Sequence, residues 1–278
     1  MIFKYIGINL FNTLIAETLV VIITVCIKDN RKKILILFLG TLIAGVVGYS
    51  DIIFQALGIK IASAENDCKA WNLAFDFRTY PNPENPNRDS CGNQDVWYFL
   101  ESSSLERIPS NYSLLTNFVA DAFGIPGYQQ WQGSHAWSNS PNIYFPSVGI
   151  NTTNETKTIY TAVHPSKSVA VHPWSTQSLV IIGWKSPING TVAISGFVND
   201  LDSFRGGDGI LWFIDQGSLP LASGAIVDGG DQPFLDGDGS ENLENIAITN
   251  GEFVYFIIHP NTDDLYDTTW IDIQLTRR

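Results

Sequence analysis

Basic residues are scarce once the first quarter of this chain is passed. Residues 65–278 hold ten Lys or Arg against twenty-five Asp or Glu, whereas residues 1–64 hold six against three. So acidic a body repels phosphate backbones, which excludes nucleic acid as a partner class and leaves divalent cations and neutral ligands open. Catalytic signatures are also lacking. There is no Gly-x-Ser-x-Gly elbow and no Cys beside a plausible His partner. His164, His172 and His259 each precede Pro and His135 stands alone, so no pair has the helical spacing of zinc ligands. The glycines at 206–209 lack the following Lys and the strand-to-helix setting of a phosphate loop, and read as a tight turn. Paired carboxylates for glycoside hydrolysis leave no such trace, because they meet only in three dimensions.

Cysteine is sparse as well. Cys26 sits in an apolar N-terminal run, leaving Cys68 and Cys91 in the acidic body. The apolar runs, 5–27 and 34–56, flank Lys28-Asp29-Asn30-Arg31-Lys32-Lys33, a cationic block that marks the cytoplasmic side of a membrane segment. Downstream, Ala62-Ser63-Ala64 has the small-x-small form of a signal-peptidase site. Two arrangements fit: a cleaved signal with a long leader, or a two-helix hairpin that keeps the protein on the membrane. Both make 1–64 a signal or anchor region and 65–278 a single extracytoplasmic domain. If the domain is exported, Cys68 and Cys91 can close a disulfide worth about 3 kcal/mol on the loop-entropy scale; otherwise they are buried thiols.

Three short apolar runs, 179–184, 210–214 and 253–258, are bounded by Gly, Pro, Asn or Asp and read as strands. In each, both alternating faces are apolar, so the outer face must be covered too, either by the first half of the chain or by a partner or lipid. Residues 71–77 alternate loosely and predict a first strand, residues 95–100 predict another, and residues 114–123 are the only helical candidate in the body. The fold class is therefore an all-β, two-sheet antiparallel β-sandwich preceded by one or two N-terminal membrane or signal helices.

The order of several short pieces, among them Asp76-Phe77, Asn85-Pro86-Asn87, Trp97-Tyr98, His172-Pro173 and Asp267-Thr268-Thr269, resembles a secreted bacterial β-sandwich module. That module occurs in proteins with Pro-Glu-Pro C-terminal sorting signals. The resemblance implies an extracytoplasmic, jelly-roll-like fold of the carbohydrate-binding kind, without a defined activity. The chain ends at Arg277-Arg278 with no sorting helix, so anchoring is expected from the N-terminus.

Candidate sites follow from composition. Residues 128–145 mix Trp131, His135, Trp137 and Tyr144 with Gln, Ser, Asn and Gly, which suits either stacking on sugar rings or a lid on the core. Asp236, Asp238, Ser240 and Asn242 alternate oxygen ligands as calcium loops do, though Glu241 and Ala247 exclude an EF-hand and a solvated turn fits equally. Asp76 and Asp267, near the first and last strands, form a second possible calcium pair. Asn111, Asn151, Asn154 and Asn189 fit the glycosylation acceptor pattern. The expected activity is non-catalytic binding of a carbohydrate or other cell-surface ligand. The alternatives are an assembly module that recognises protein through an apolar sheet face, and an extracellular hydrolase.

Overall fold

The computed structural model describes residues 10–15, 18–25, 34–39, 68–79, 84–137, 142–202, 204 and 206–278. The chain divides into two units, Met1–Ser63 and Ala64–Arg278. In the first, β1 (Leu10–Ile15), β2 (Thr18–Val25) and β3 (Ile34–Leu39) form an antiparallel sheet in that order. The one or two helices expected over 5–27 and 34–56 fall in large part outside the described residues, as does Ala62-Ser63-Ala64 entirely. Among the described residues no helix is long and apolar enough to cross a membrane.

The second unit begins with β4 (Ala70–Asn72), α1 (Leu73–Thr79), β5 (Trp97–Ser102), β6 (Ser113–Leu114) and β7 (Asn117–Val119). Next come β8 (Tyr128–Ala136), β9 (Tyr144–Asn151), β10 (Lys157–Ile159), β11 (Ala162–His164) and β12 (Val169–His172). The second half supplies β13 (Leu179–Lys185), β14 (Gly190–Asp200), β15 (Ile210–Gln216), β16 (Leu219–Ile226) and β17 (Asp231–Pro233). It ends with β18 (Ile246–Ile248), β19 (Phe253–His259) and β20 (Thr269–Arg277). A nine-stranded sheet runs β17-β14-β20-β12-β9-β8-β7 with β18 on β14 and β4 on β20, and a six-stranded sheet runs β16-β15-β19-β13-β5-β6. The unit is thus all-β, with two main antiparallel sheets packed as a sandwich.

The three doubly apolar runs are neighbours, as β15, β19 and β13 at the centre of the six-stranded sheet. Period-two alternation turns Val180, Ile182 and Trp184, with Trp212, Ile214, Phe256 and Ile258, into the core. There they meet Val148, Ile150, Val171, Ile194, Ile271 and Ile273 from the nine-stranded sheet. The opposite face, with Leu179, Ile181, Tyr255 and Ile257, is packed on by Leu105 and Tyr112 from the connection after β5, beside Leu114 of the edge strand β6. Arg107 latches this cover: its guanidinium lies 2.6 Å from Asp215 and 4.1 Å from the centre of the Phe213 ring.

Two sequence expectations are corrected. Residues 71–77 are not one strand: Asn72 ends β4 and its Oδ1 accepts the Phe75 N–H at 2.8 Å, capping α1. Leu73 and Phe77 then share a buried helical face while Phe75 is 49 % exposed. Residues 114–123 are not a helix either. The segment crosses from one sheet to the other, so β6 pairs with β5 and β7 with β8 before a short 3-10 turn at Ala122–Gly124.

A disulfide joins Cys68 to Cys91, with a Cα–Cα distance of 6.0 Å. Beside it, two buried aspartates are held by indoles. Trp97 Nε1 donates to Asp76 at 2.8 Å, and Trp71 Nε1 donates to Asp89, also at 2.8 Å. Asp76 also accepts the Ser90 N–H, and Asp89 accepts those of Cys91 and Asn93. This corner therefore fastens β4, α1 and the loop before β5 through carboxylate hydrogen bonds and the disulfide.

Candidate functional site

The aromatic segment at 128–145 is a pair of strands, β8 and β9, rather than one irregular loop. Its ladder pairs Gln132 with Ser147 and then His135 with Phe145, so β8 carries one extra residue between them. Such a bulge reverses which face the following side chains occupy. Gly133 occupies the bulge because a Cβ there would sit 2.4 Å from Glu101 Oε2 and 2.9 Å from the Phe145 carbonyl. Trp131, before the bulge, points into the core against Phe118 and is 8 % exposed. Beyond it, His135 and Trp137 lie on the outer face.

That outer face holds a groove of about 380 Å³. Gln130, Ser147, Ala170 and His172 form its sheet floor, and the β10–β11 hairpin supplies Ile159, Tyr160, Ala162 and His164. The 264–268 segment closes a third side with Asp264, Leu265, Tyr266 and Thr268. Aromatic rings follow one another along the rim. Trp174 stacks on Phe145 at 5.6 Å with planes 7° apart, Phe145 meets Trp137 at 6.0 Å, and Trp137 meets Tyr160 edge-on at 4.9 Å. His135 contacts Trp174 at 6.3 Å.

The polar groups have set roles. His172 Nδ1 donates to the Pro173 carbonyl at 2.6 Å, which fixes the orientation of the ring. His164 is buried against Tyr128, and burial lowers its pKa to about 4, so it is a neutral imidazole at pH 7. Burial likewise raises the Tyr128 phenol far above its usual range, making it a fixed hydroxyl. Asp202 is occupied as a clamp, accepting the Thr161 hydroxyl through one oxygen and the Thr268 N–H through the other. The arrangement offers flat apolar faces beside an amide, a hydroxyl and imidazoles, which can hold a small polar molecule with apolar faces of its own.

Of the residues singled out from sequence, Trp137 lines this groove and His135 touches its rim through Trp174. Trp131 is a core residue. Tyr144 lies in a separate shallow depression with Asn117, Gly133, Ser134 and Asn142. Trp174, Tyr160, Tyr266 and Gln130 escaped the sequence reading. Trp174 follows His172-Pro173 directly, and that position beside a strand end was the one available signal.

The two sets of calcium candidates lie in different surroundings. Asp236 and Asp238 are exposed, and the Asn242 amide donates to the carbonyls of Leu221 and Gly239. Asp76 keeps company with Asp89, Ser90 and Trp97, whereas the charges acting on Asp267 are Asp208, Asp263, Asp264 and Asp200. The two therefore do not form a pair. Among the described residues, one group of three ligand-type side chains lies within 4.8 Å, Cys68, Asp89 and Cys91, and its sulfurs are spent in the disulfide. Of the glycosylation acceptors, Asn151 is fully buried, its amide donating to the carbonyls of Glu155, His164 and Pro165, while Asn111, Asn154 and Asn189 are exposed.

No protein-family model and no curated protein matches the chain. Among solved structures, a carbohydrate-binding module, CBM36, in complex with calcium and xylotriose is similar at 13 % identity and a TM-score of 0.25, over 43 % of this chain and 85 % of that one.

Proposed function

We propose that the outer-face groove binds a carbohydrate and that the protein is an extracytoplasmic, non-catalytic recognition module with a jelly-roll-like sandwich. The observation that carries this is the ring succession Trp174, Phe145, Trp137 and Tyr160 around a cavity of about 380 Å³ with Gln130, Ser147 and His172 in its floor. Sugar rings present apolar C–H faces and a hydroxyl rim, and stacked aromatics beside amide and hydroxyl groups complement both. Location outside the cytoplasm is supported by the Cys68–Cys91 disulfide, since such bonds persist in oxidising compartments. Tethering through the N-terminal apolar runs belongs to the same proposal. The rival reading, recognition through the apolar face of the six-stranded sheet, has less surface to use because Leu105 and Tyr112 pack on that face.

The test is retention of the full, disulfide-intact chain on a panel of immobilised polysaccharides. Trp137→Ala is expected to weaken retention by roughly tenfold, about 1.4 kcal/mol, with the melting temperature unchanged. Equal retention of wild type and Trp137→Ala on every glycan that binds, or no glycan binding at all, overturns the reading.

A further inference from the structure

Three connections come together through their described residues at one end of the sandwich: 201, 202, 204 and 206–209 after β14, 227–230 after β16 and 260–268 after β19. Their own carboxylates tie them together. Asp200 accepts the Gly229 N–H, Asp228 accepts the Gly206 N–H at 2.7 Å, and Asp208 accepts the N–H and hydroxyl of Thr262. The packing is close enough that a Cβ on Gly207 would lie 2.2 Å from the Leu265 carbonyl.

These bonds leave oxygens over. Asp267 is 2 % exposed, and both of its carboxylate oxygens are buried with no hydrogen-bond partner. Asp208 Oδ1 and Asp228 Oδ1 are buried and without a partner too. The basic residue of these connections, Arg205, lies outside the described residues. A buried ionised carboxylate without protein donors is costly, and such a group is met by a proton, a cation or an internal water.

We propose that this loop cluster is a calcium site anchored by the carboxylates of Asp267 and Asp208. Hard carboxylate oxygens on irregular loops suit calcium, which accepts six to eight oxygen ligands in flexible geometry, main-chain carbonyls and water included. Asp263 and Asp264 add negative potential from the same connection. Burial, followed by the charge of Asp208 and its neighbours, raises the Asp267 pKa, the same unmet need for a counter-charge seen in its unpartnered oxygens. The 260–268 connection that carries Asp267 also gives Asp264, Leu265 and Tyr266 to the groove wall, so a bound ion fixes that wall. This last coupling rests on the glycan reading; the ion site does not.

Calorimetric titration of the chelator-treated full chain with calcium chloride, paired with melting temperatures with and without about millimolar calcium, tests the site. Calcium is expected to bind wild type and raise its melting temperature. The response should vanish in Asp267→Asn, fall at least tenfold in affinity in Asp208→Asn, and persist in Asp236→Asn. A wild type indifferent to calcium overturns the proposal, leaving Asp267 as a buried neutral acid, and this arm holds even if Asp267→Asn fails to fold. An equal response to magnesium, or calcium binding unaltered in both Asp267→Asn and Asp208→Asn, overturns it as well. Because no glycan is present, failure here is separate from failure of the carbohydrate reading.

Discussion

Trp131 and His135 stand on the same strand with even spacing, yet they face opposite sides of the sheet, because the β8–β9 register slips one residue between Gln132 and His135. The slip sends one ring into the core and the other to the groove rim.

A pair of alanine substitutions separates the two faces. Trp131→Ala removes a core ring packed on Phe118 and should cost about 3 to 5 kcal/mol in denaturant unfolding, with glycan retention of the folded protein kept. Trp137→Ala, at the half-buried rim, should cost under about 1 kcal/mol. Similar losses for both would show that the bulge does not part them.

The indole-bound aspartates stabilise through several donors at once. Asp89→Ala would strand Trp71 Nε1 and the N–H groups of Cys91 and Asn93. With about 1 to 3 kcal/mol for the buried indole donor and less for the part-buried N–H groups, the loss should exceed that of Trp71→Phe, which removes one donor. Chemical denaturation of both variants with the disulfide intact checks the order. A smaller loss in Asp89→Ala would refute this account of the corner.

His164 makes stability depend on pH. Its native pKa is lowered to about 4 by burial, against 6.5 for the ordinary residue, so the folded protein binds this proton less readily than the unfolded chain. Its contribution is whole above about pH 6.5 and is lost as pH falls through about 4. The difference in melting temperature between wild type and His164→Gln should therefore change between pH 7 and pH 4, the wild type falling faster. Parallel curves would place the titration elsewhere.

Much of the scaffold could be read from residue order. The runs at 179–184, 210–214 and 253–258 are apolar on both alternating faces, and a strand of that kind can only sit centrally in a sheet covered twice. Leu105 and Tyr112 supply the second cover. What escaped was decided by single-residue geometry or by distant pairing. The alternation of Trp71, Leu73 and Phe77 fits a strand, and only the Asn72 side chain tips it into α1. The one local sign of the extra residue that parts Trp131 from Trp137 is Gly133, an isolated glycine inside a strand. Trp174 lies far from 128–145 in sequence and joins it only because β12 pairs with β9. Likewise Asp267 meets Asp208 through the folding together of three connections, so no spacing within one segment could reveal them.

The acidic stretch around Asp236 has a consequence for how copies of this protein meet. Strand β16 ends the six-stranded sheet, and a bare edge of eight residues invites another chain to add itself as the next strand. Here the Asp238 main chain exchanges both hydrogen bonds with Ser223, and Asn242 takes the Leu221 carbonyl. The opposite edge is two residues long, and the nine-stranded sheet ends in strands of three. The domain thus offers its neighbours little open backbone, so crowding at a surface need not turn into cross-strand aggregation.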